Sequence, residues 1–245
     1  MPIHQRQAVI IGASGGIGSA LTELLSRSGW SLVLAGRDQG RLQAQSQALG
    51  SCVLGSHVID AADFDQVDSM MSQYPNTDAL VNLAGSILLK PAQSTSFDDF
   101  EQTIRQNLTT AFSCVRAAGK HMRQDGGSVV LMSSCAATVG LSNHEAISAA
   151  KAGVEGLVRS AAASYAKHNL RFNAVAPGLV DTPLAAGILA SEPARKASES
   201  MHPLKRVGQP NDIARVIEMM IEPEGAWITG QVFGVDGGLA RVRAK

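Results

Sequence analysis

The 245-residue sequence predicts an α/β fold in a single domain: a doubly wound parallel sheet of about seven strands with helices on both faces. Three observations predict it. Short apolar runs rich in Val, Ile and Leu alternate along the chain with helical patterns, as repeated βαβ units require. The first run, Ala8-Val9-Ile10-Ile11, enters a glycine cluster, Gly12-Ala13-Ser14-Gly15-Gly16-Ile17-Gly18, and a helical pattern starts at once. No repeat, low-complexity tract or linker interrupts the alternation.

The glycine stretch carries chemistry as well as geometry. Ile17, Leu21, Leu24 and Leu25 fall on one helical face, and Gly29 supplies a stop. Amides without an intrahelical partner, added to the positive end of the helix dipole, make an anion site where strand turns into helix. Gly12, Gly16 and Gly18 let the backbone approach a phosphate with no Cβ in the way. The spacing Gly-x-x-x-Gly-x-Gly departs from the commoner Gly-x-Gly-x-x-Gly, and a tight turn is the plainer reading of the glycines alone. Their place between a strand and an amphipathic helix points instead to a nucleotide phosphate in a Rossmann-type sheet.

Composition narrows the partners. Lys plus Arg and Asp plus Glu both number 21, so the formal net charge is zero. No basic stripe argues for nucleic acid and no basic amphipathic tail for a membrane. The opening residues, Met1 to Arg6, run into the first strand with no signal segment, and no apolar run is long enough to span a bilayer. Cys52, Cys114 and Cys135 are odd in number and widely spaced, which suits reduced thiols in a cytoplasm.

In order, Ser31–Gly36 reads as the second strand, followed by Arg37-Asp38 and a helix over 38–49. A dinucleotide fold selects its cofactor there: an acid holds the 2′-hydroxyl of NAD, an arginine the 2′-phosphate of NADP. Arg37 favours NADP; a solvated arginine, or Asp38 turned inward for NAD, are the alternatives. The third strand, 52–59, ends at Asp60, which either accepts from an adenine amine or caps the helix that Asp63 opens through Val67, Met70 and Met71. The fourth strand, 78–85, places Asn82 where it ties neighbouring strands, and Ala84 and Gly85 where they leave room for a ribose. A long helix over 97–123 carries Phe97, Phe100, Ile104, Leu108, Ala111 and Val115 on one stripe, with Asn107 beside it needing partners. The fifth strand, 128–132, delivers Ser133 and Ser134 at its C-terminal end, where open parallel sheets place their chemistry. Ser142 and Glu145 have the spacing of a capping box for a helix, rich in small residues, that runs to about His168 and bears Lys151. A sixth strand, 170–176, breaks at Pro177-Gly178; 183–209 reads as a lid or substrate loop, and a helix over 211–222 and a strand over 231–235 close the sheet.

Taken together, these pieces resemble the short-chain dehydrogenase/reductase family over essentially the whole length, and within it the bacterial 3-oxoacyl-acyl-carrier-protein reductases. Gly12, Ser14, Gly16, Ile17 and Gly18 are similar to its phosphate loop, with Ile11 where a threonine is usual. Asp60 is similar to its adenine-contacting acid, Asn82-Leu83-Ala84-Gly85 to its Asn-Asn-Ala-Gly, and Pro177-Gly178-Leu179-Val180-Asp181-Thr182 to its nicotinamide-side loop. Asn107, Ser134 and Lys151 fall at its helix asparagine, active serine and lysine. The resemblance implies an NADP-dependent oxidoreductase, with NAD as the alternative cofactor, acting on a small-molecule or acyl-carrier-bound carbonyl. In that scheme Ser134 polarises the carbonyl, Lys151 holds the nicotinamide ribose and Asn107 holds a relay water. It also implies a homotetramer, with the helices over 97–123 and 145–168 pairing between subunits.

The pattern breaks at one position. The family places a proton-donating tyrosine four residues before the lysine, and that position is Ile147. The chain has two tyrosines. Tyr165 lies eighteen residues farther along the same helix, about 27 Å away at 1.5 Å per residue, and Tyr74 precedes the fourth strand. His144 is the nearby ionisable group: if the helix includes it, it shares a face with Ile147 and is a competent general acid. Otherwise it is a helix-start residue facing solvent or a neighbouring subunit. Two functions therefore stand at the level of sequence: an oxidoreductase with an atypical proton donor, or a dinucleotide-binding protein with little catalysis, acting as a sensor or partner subunit.

Overall fold

The computed structural model describes residues 5–243, so the first four residues of the expected leaderless start lie outside it. The elements run β1 (Gln7–Ile11), α1 (Gly16–Arg27), β2 (Ser31–Gly36), α2 (Gln39–Leu49), β3 (Val53–Val58), α3 (Phe64–Ser72) and β4 (Ala79–Asn82). They continue with α4 (Phe97–Ile104), a π-helical turn (Arg105–Thr109), α5 (Thr110–His121), β5 (Gly127–Met132), α6 (Glu145–Tyr165) and β6 (Leu170–Pro177). The chain then forms α7 (Glu192–Met201), α8 (Pro210–Ile221) and β7 (Val232–Val235).

All seven strands are parallel, in the order β3-β2-β1-β4-β5-β6-β7. Side chains alternate between the two sheet faces. Val9, Ile11, Leu80, Val129 and Phe172 pack with α3, α5 and α6; Ala8, Ile10, Leu34, Val81 and Val175 pack with α1, α8 and Leu42 of α2. Winding reverses between β1 and β4, which opens a crevice beyond their C-terminal ends.

Local signals explain most element starts. Asp63 caps α3 by accepting from the amides of Asp65 and Gln66, and Asp38 caps α2 through the Arg41 amide. Ser96 and Asp99 form a reciprocal capping box on α4. Three expectations need correction. Ser142 and Glu145 form no capping box: His144 is the residue before α6, and no side chain caps that helix. Asn143 there adopts φ +63°, so the chain turns too sharply for the reciprocal pair. The fourth strand stops at Asn82 because its side chain accepts from the Ala84 amide (3.0 Å) and bends the chain.

The third correction concerns the helix over 97–123. It is two helices joined by the π turn, and its stripe splits: Ala111 and Val115 are buried, whereas Phe97 is 74% exposed and Phe100 40%. A π turn inserts an extra residue into the hydrogen-bond ladder and rotates everything before it about the axis. Thr103, Asn107 and Thr110 take the buried face instead.

Gly18 fixes how α1 crosses β1. A Cβ there would press into the carbonyl oxygens of Gly12 and Ala13, which are backbone atoms and cannot step aside. Gly18→Ala is expected to cost about 1–3 kcal/mol, measured by urea denaturation, with a matching loss of nucleotide affinity.

Candidate active site

The crevice holds a cavity of about 440 Å³. Gly12 and Ser14 to Gly18 line one wall. Gly12 adopts φ +80°, and a Cβ on it would stand 2.9 Å from the Leu83 carbonyl carbon; glycine alone suits both the conformation and the approach. Helix α1 has no side-chain cap and no acid in its first turn, and its amides face the cavity at the positive end of its dipole. The mouth is chemically matched to an anion.

Two arginines flank one end of the cavity. Arg37 and Arg41 both line it, and Arg41 donates to the Ser14 carbonyl oxygen at the edge of the glycine loop. Asp38 lies between them with its carboxylate engaged by the α2 cap. Arg41 was not visible as a site residue in the sequence, although its place four residues after Arg37 on a helix start was the available signal. At another part of the wall, Asp60 ion-pairs with Arg105 and accepts from the Ala62 amide (2.9 Å). Asp63, not Asp60, is the helix cap. Gln106 and Thr110 of the π region complete that side.

The other expected residues lie behind and beside this cavity. Ala84, Gly85 and Thr182 line it; Asn82, Pro177, Gly178 and Val180 do not. Asn82 is buried and shapes the Ala84 turn. Val180 is buried and bridges to Gly208. Gly178 sits against His202, whose Nε2 accepts from the Leu179 amide (3.3 Å) while Nδ1–H donates to the Ser198 carbonyl (2.8 Å). His202 thereby ties the end of α7 to the loop after β6, a contact no sequence pattern announced.

Asn107 and Lys151 converge on Gly85. A Cβ on Gly85 would lie 2.9 Å from Asn107 Oδ1 and 3.5 Å from Lys151 Nζ. The Asn107 amide is spent on Ser86 Oγ (3.0 Å) and the Thr103 carbonyl (2.9 Å), and its Oδ1 accepts from the Ser86 amide (3.2 Å). Lys151 is 5% exposed and donates to the Met132 carbonyl (2.8 Å). Burial pushes its ammonium down to about 8. Ser134, two residues beyond Met132, accepts from the Ala136 amide (3.2 Å). Its neighbour Ser133 donates to the buried carboxylate of Glu155 (2.9 Å).

Ile147 is 5% exposed, in the first turn of α6. His144 lies outside that helix, half-buried, with φ −112° and ψ 13°, so it does not share a helical face with Ile147. Its Nδ1–H donates to the Ser142 carbonyl (2.7 Å). Tyr74 bonds His57 (2.7 Å), and the Tyr165 ring packs on Phe172 at 5.5 Å, so both are engaged elsewhere. Cys114 and Cys135 are buried, their thiols pushed up to about 12 and about 11 by burial, so neither is a nucleophile at neutral pH.

Residues 12–240 match the family profile described as enoyl-(acyl carrier protein) reductase. Cis-4-hydroxycyclohexanecarboxylate dehydrogenase of Sinomonas cyclohexanicum is 34% identical over 97% of this chain and 98% of its own. The 3-oxoacyl-[acyl-carrier-protein] reductase of Thermotoga maritima is 32% identical over 98% and 99%. The chain belongs to the short-chain dehydrogenase/reductase family. Among solved structures, ElxO with NADP bound superposes with a TM-score of 0.88 at 25% identity, covering 96% of this chain and 98% of that one. As a short-chain dehydrogenase/reductase, the chain shares the seven-stranded parallel sheet of its structural relatives, and it carries isoleucine at position 147.

A lysine whose folded-state value lies below its unfolded value destabilises the fold while it is charged, because the unfolded chain binds the proton more tightly. Stability should therefore rise as pH increases from about 8 to about 10.5, by about 3 kcal/mol in total. The rise should vanish in Lys151→Met, and the difference between the two urea-denaturation curves over that range is the measurement.

Proposed function

We propose that this chain is an NADP-dependent oxidoreductase that interconverts a carbonyl and an alcohol. The observation that carries the reading is the uncapped, glycine-walled start of α1, with Arg37 and Arg41 at one end of its cavity and Gly85 leading to Lys151 and Asn107. When bound, the dinucleotide supplies hydride. The chain's own residues do the rest. Gly12, Ser14, Gly16, Ile17 and Gly18 offer backbone donors to the pyrophosphate. Arg37 and Arg41 take the 2′-phosphate, and Asp60 and Arg105 border the adenine. Ala84 and Gly85 leave room for a ribose whose hydroxyls Lys151 meets. Thr182, held over Gly16, faces the nicotinamide side with the loop from Pro177 to Val180 behind it. Ser134 polarises the carbonyl oxygen, and Asn107, whose side chain is fully bonded, holds the π turn so that a relay water can be ordered.

The relatives supply the substrate class. One is named a dehydrogenase of a cyclic alcohol and one a reductase of an acyl-carrier-bound ketone, so a small-molecule or acyl-carrier-bound carbonyl is the proposed substrate. Residues 183–209, which pack Ala185, Leu189 and Val207 against Leu179, act as its lid. No helix among the described residues is long and apolar enough to cross a membrane, and three unpaired cysteines suit the reducing cytoplasm. Phe97 and Phe100 of α4 and Phe112 of α5, which packs on Phe64 of α3, are exposed apolar surface that a homotetramer would cover between subunits.

Ile147 favours a second reading, a dinucleotide-binding protein without turnover. Fluorescence titration with NADPH and assay against a panel of ketones separate the two: binding with turnover is expected, binding alone supports the second reading, and no binding overturns both. In Arg37→Ala and Arg41→Ala, affinity for NADPH should fall about 10- to 150-fold per arginine while affinity for NADH stays within a few-fold, because each charge-assisted bond to the extra phosphate is worth about 1.5–3 kcal/mol. Light scattering in solution should give four chains per particle, and Phe97→Asp with Phe112→Asp should lower that number.

A further inference from the structure

The oxidoreductase reading leaves the proton donor unassigned, and the surroundings of Lys151 supply one. Ile147 and Lys151 are one helical turn apart on α6 and both are buried. The isoleucine side chain carries no proton to give, so position 147 supplies no acid. It also leaves apolar surface that raises the cost of keeping the charge. Nζ bonds the carbonyl of Met132, two residues before Ser134, and stands 3.5 Å from where a Cβ on Gly85 would be. Gly85 is part of the cavity wall and has no side chain, so nothing of that residue screens the ammonium from the cavity.

Glu145 and Arg159 of α6 lie six residues before and eight residues after Lys151, and the other charged and titratable groups around it are committed elsewhere. On α6 itself, Glu155 accepts from Ser133 Oγ. Arg105 of the π turn pairs with Asp60, and Asp99 of α4 with Lys90. Arg171 of β6 donates to the carbonyls of Met220, Gly225 and Ile228. The thiols of Cys114 on α5 and Cys135 after β5 stay protonated.

We propose that Lys151 is itself the proton donor, passing a proton from Nζ to the substrate oxygen that Ser134 polarises. This rests on the oxidoreductase reading and deepens it. In reduction, the nicotinamide dinucleotide gives two electrons and one hydrogen to the carbonyl carbon and is oxidised. The C=O π bond breaks, the oxygen takes the Nζ proton, one N–H bond breaks and one O–H bond forms. Neutral Lys151 then regains a proton from water. An ammonium lowered to about 8 by burial is an effective acid near neutral pH, where an ordinary lysine holds its proton too tightly.

The test uses the full-length protein with NADPH and whichever ketone of the panel is reduced. The reduction rate should be flat at neutral pH and fall as pH rises through about 8, while alcohol oxidation should rise through the same value. The Cε shift of carbon-13-labelled Lys151, assigned by its loss in Lys151→Arg, should titrate at that value without substrate. Lys151→Arg keeps a cation but holds its proton, so turnover should fall about 10²–10⁴-fold and the limb should vanish, with NADPH affinity within about tenfold. Ile147→Tyr, which leaves Lys151 in place, should add a second acid and flatten the limb. A limb near the imidazole value that disappears in His144→Ala overturns the proposal, as does Lys151→Arg turning over within threefold of the parent. NADPH binding without turnover on any ketone overturns it too but leaves the dinucleotide site standing; absence of NADPH binding overturns the parent reading itself.

Discussion

The close passage of α1 over the end of β1 is the constraint on which the rest of this structure depends. Gly18 lies on the carbonyls of Gly12 and Ala13, and Gly12 lies on the Leu83 carbonyl at the end of β4. Those two contacts bring the start of α1, the end of β1 and the end of β4 to one point. That point is also where the winding of the sheet reverses, so a crevice is unavoidable there. Leaving the helix without a side-chain cap sacrifices roughly 1 kcal/mol of local stability, and it leaves donors that a ligand can use.

From that point the geometry propagates through the ends of neighbouring strands. The Ala84-Gly85 turn is shaped by Asn82 and abuts Asn107. Asn107 sits within a π turn that departs from α-helical pairing, and its side-chain amide bonds across to Ser86. The Ser148 hydroxyl donates to the Ala136 carbonyl (2.6 Å), which ties the start of α6 to the turn after Ser134. Lys151, one turn on, reaches back to Met132 on β5. Lys151 bonds a strand end directly, and Asn107 and Ser148 bond the turns that immediately follow β4 and β5, so the polar cluster is placed by the ends of the sheet. Rigid placement of this kind is what proximity catalysis requires.

The sheet was legible in the sequence because buried parallel strands leave continuous apolar runs, and Asp63 announced its cap by spacing. The glycine loop was legible for the same reason: a strand, close backbone approach and a helix start leave a pattern in residue types. The 97–123 helix was only half legible. Its apolar spacing continues through the π turn as though the helix were uniform, and a one-residue insertion in the ladder has no signature in composition. The Ser142–Glu145 pair shows the reverse failure, a correct local spacing overridden by the left-handed Asn143 turn. Arg41 and His202 were missed because their roles come from long-range packing, Arg41 against the glycine loop and His202 against the loop after β6.

The absence of a phenol at position 147 changes the physics of the residue one turn away. A lysine beside a phenol has a second polar neighbour; Lys151, one turn from Ile147, is buried with the Met132 carbonyl as its hydrogen-bond partner. The ammonium is then held in a place that disfavours it, at a cost to folding that grows as pH falls from about 10.5 to about 8 and is constant below that. A fold that carries such a cost behind Gly85 of its cavity wall holds a destabilised charge close to that wall. Both the cost and the readiness to give up a proton come from the same burial, so any change that relieves the first, such as a polar group restored at 147 or water admitted past Gly85, must also weaken the second.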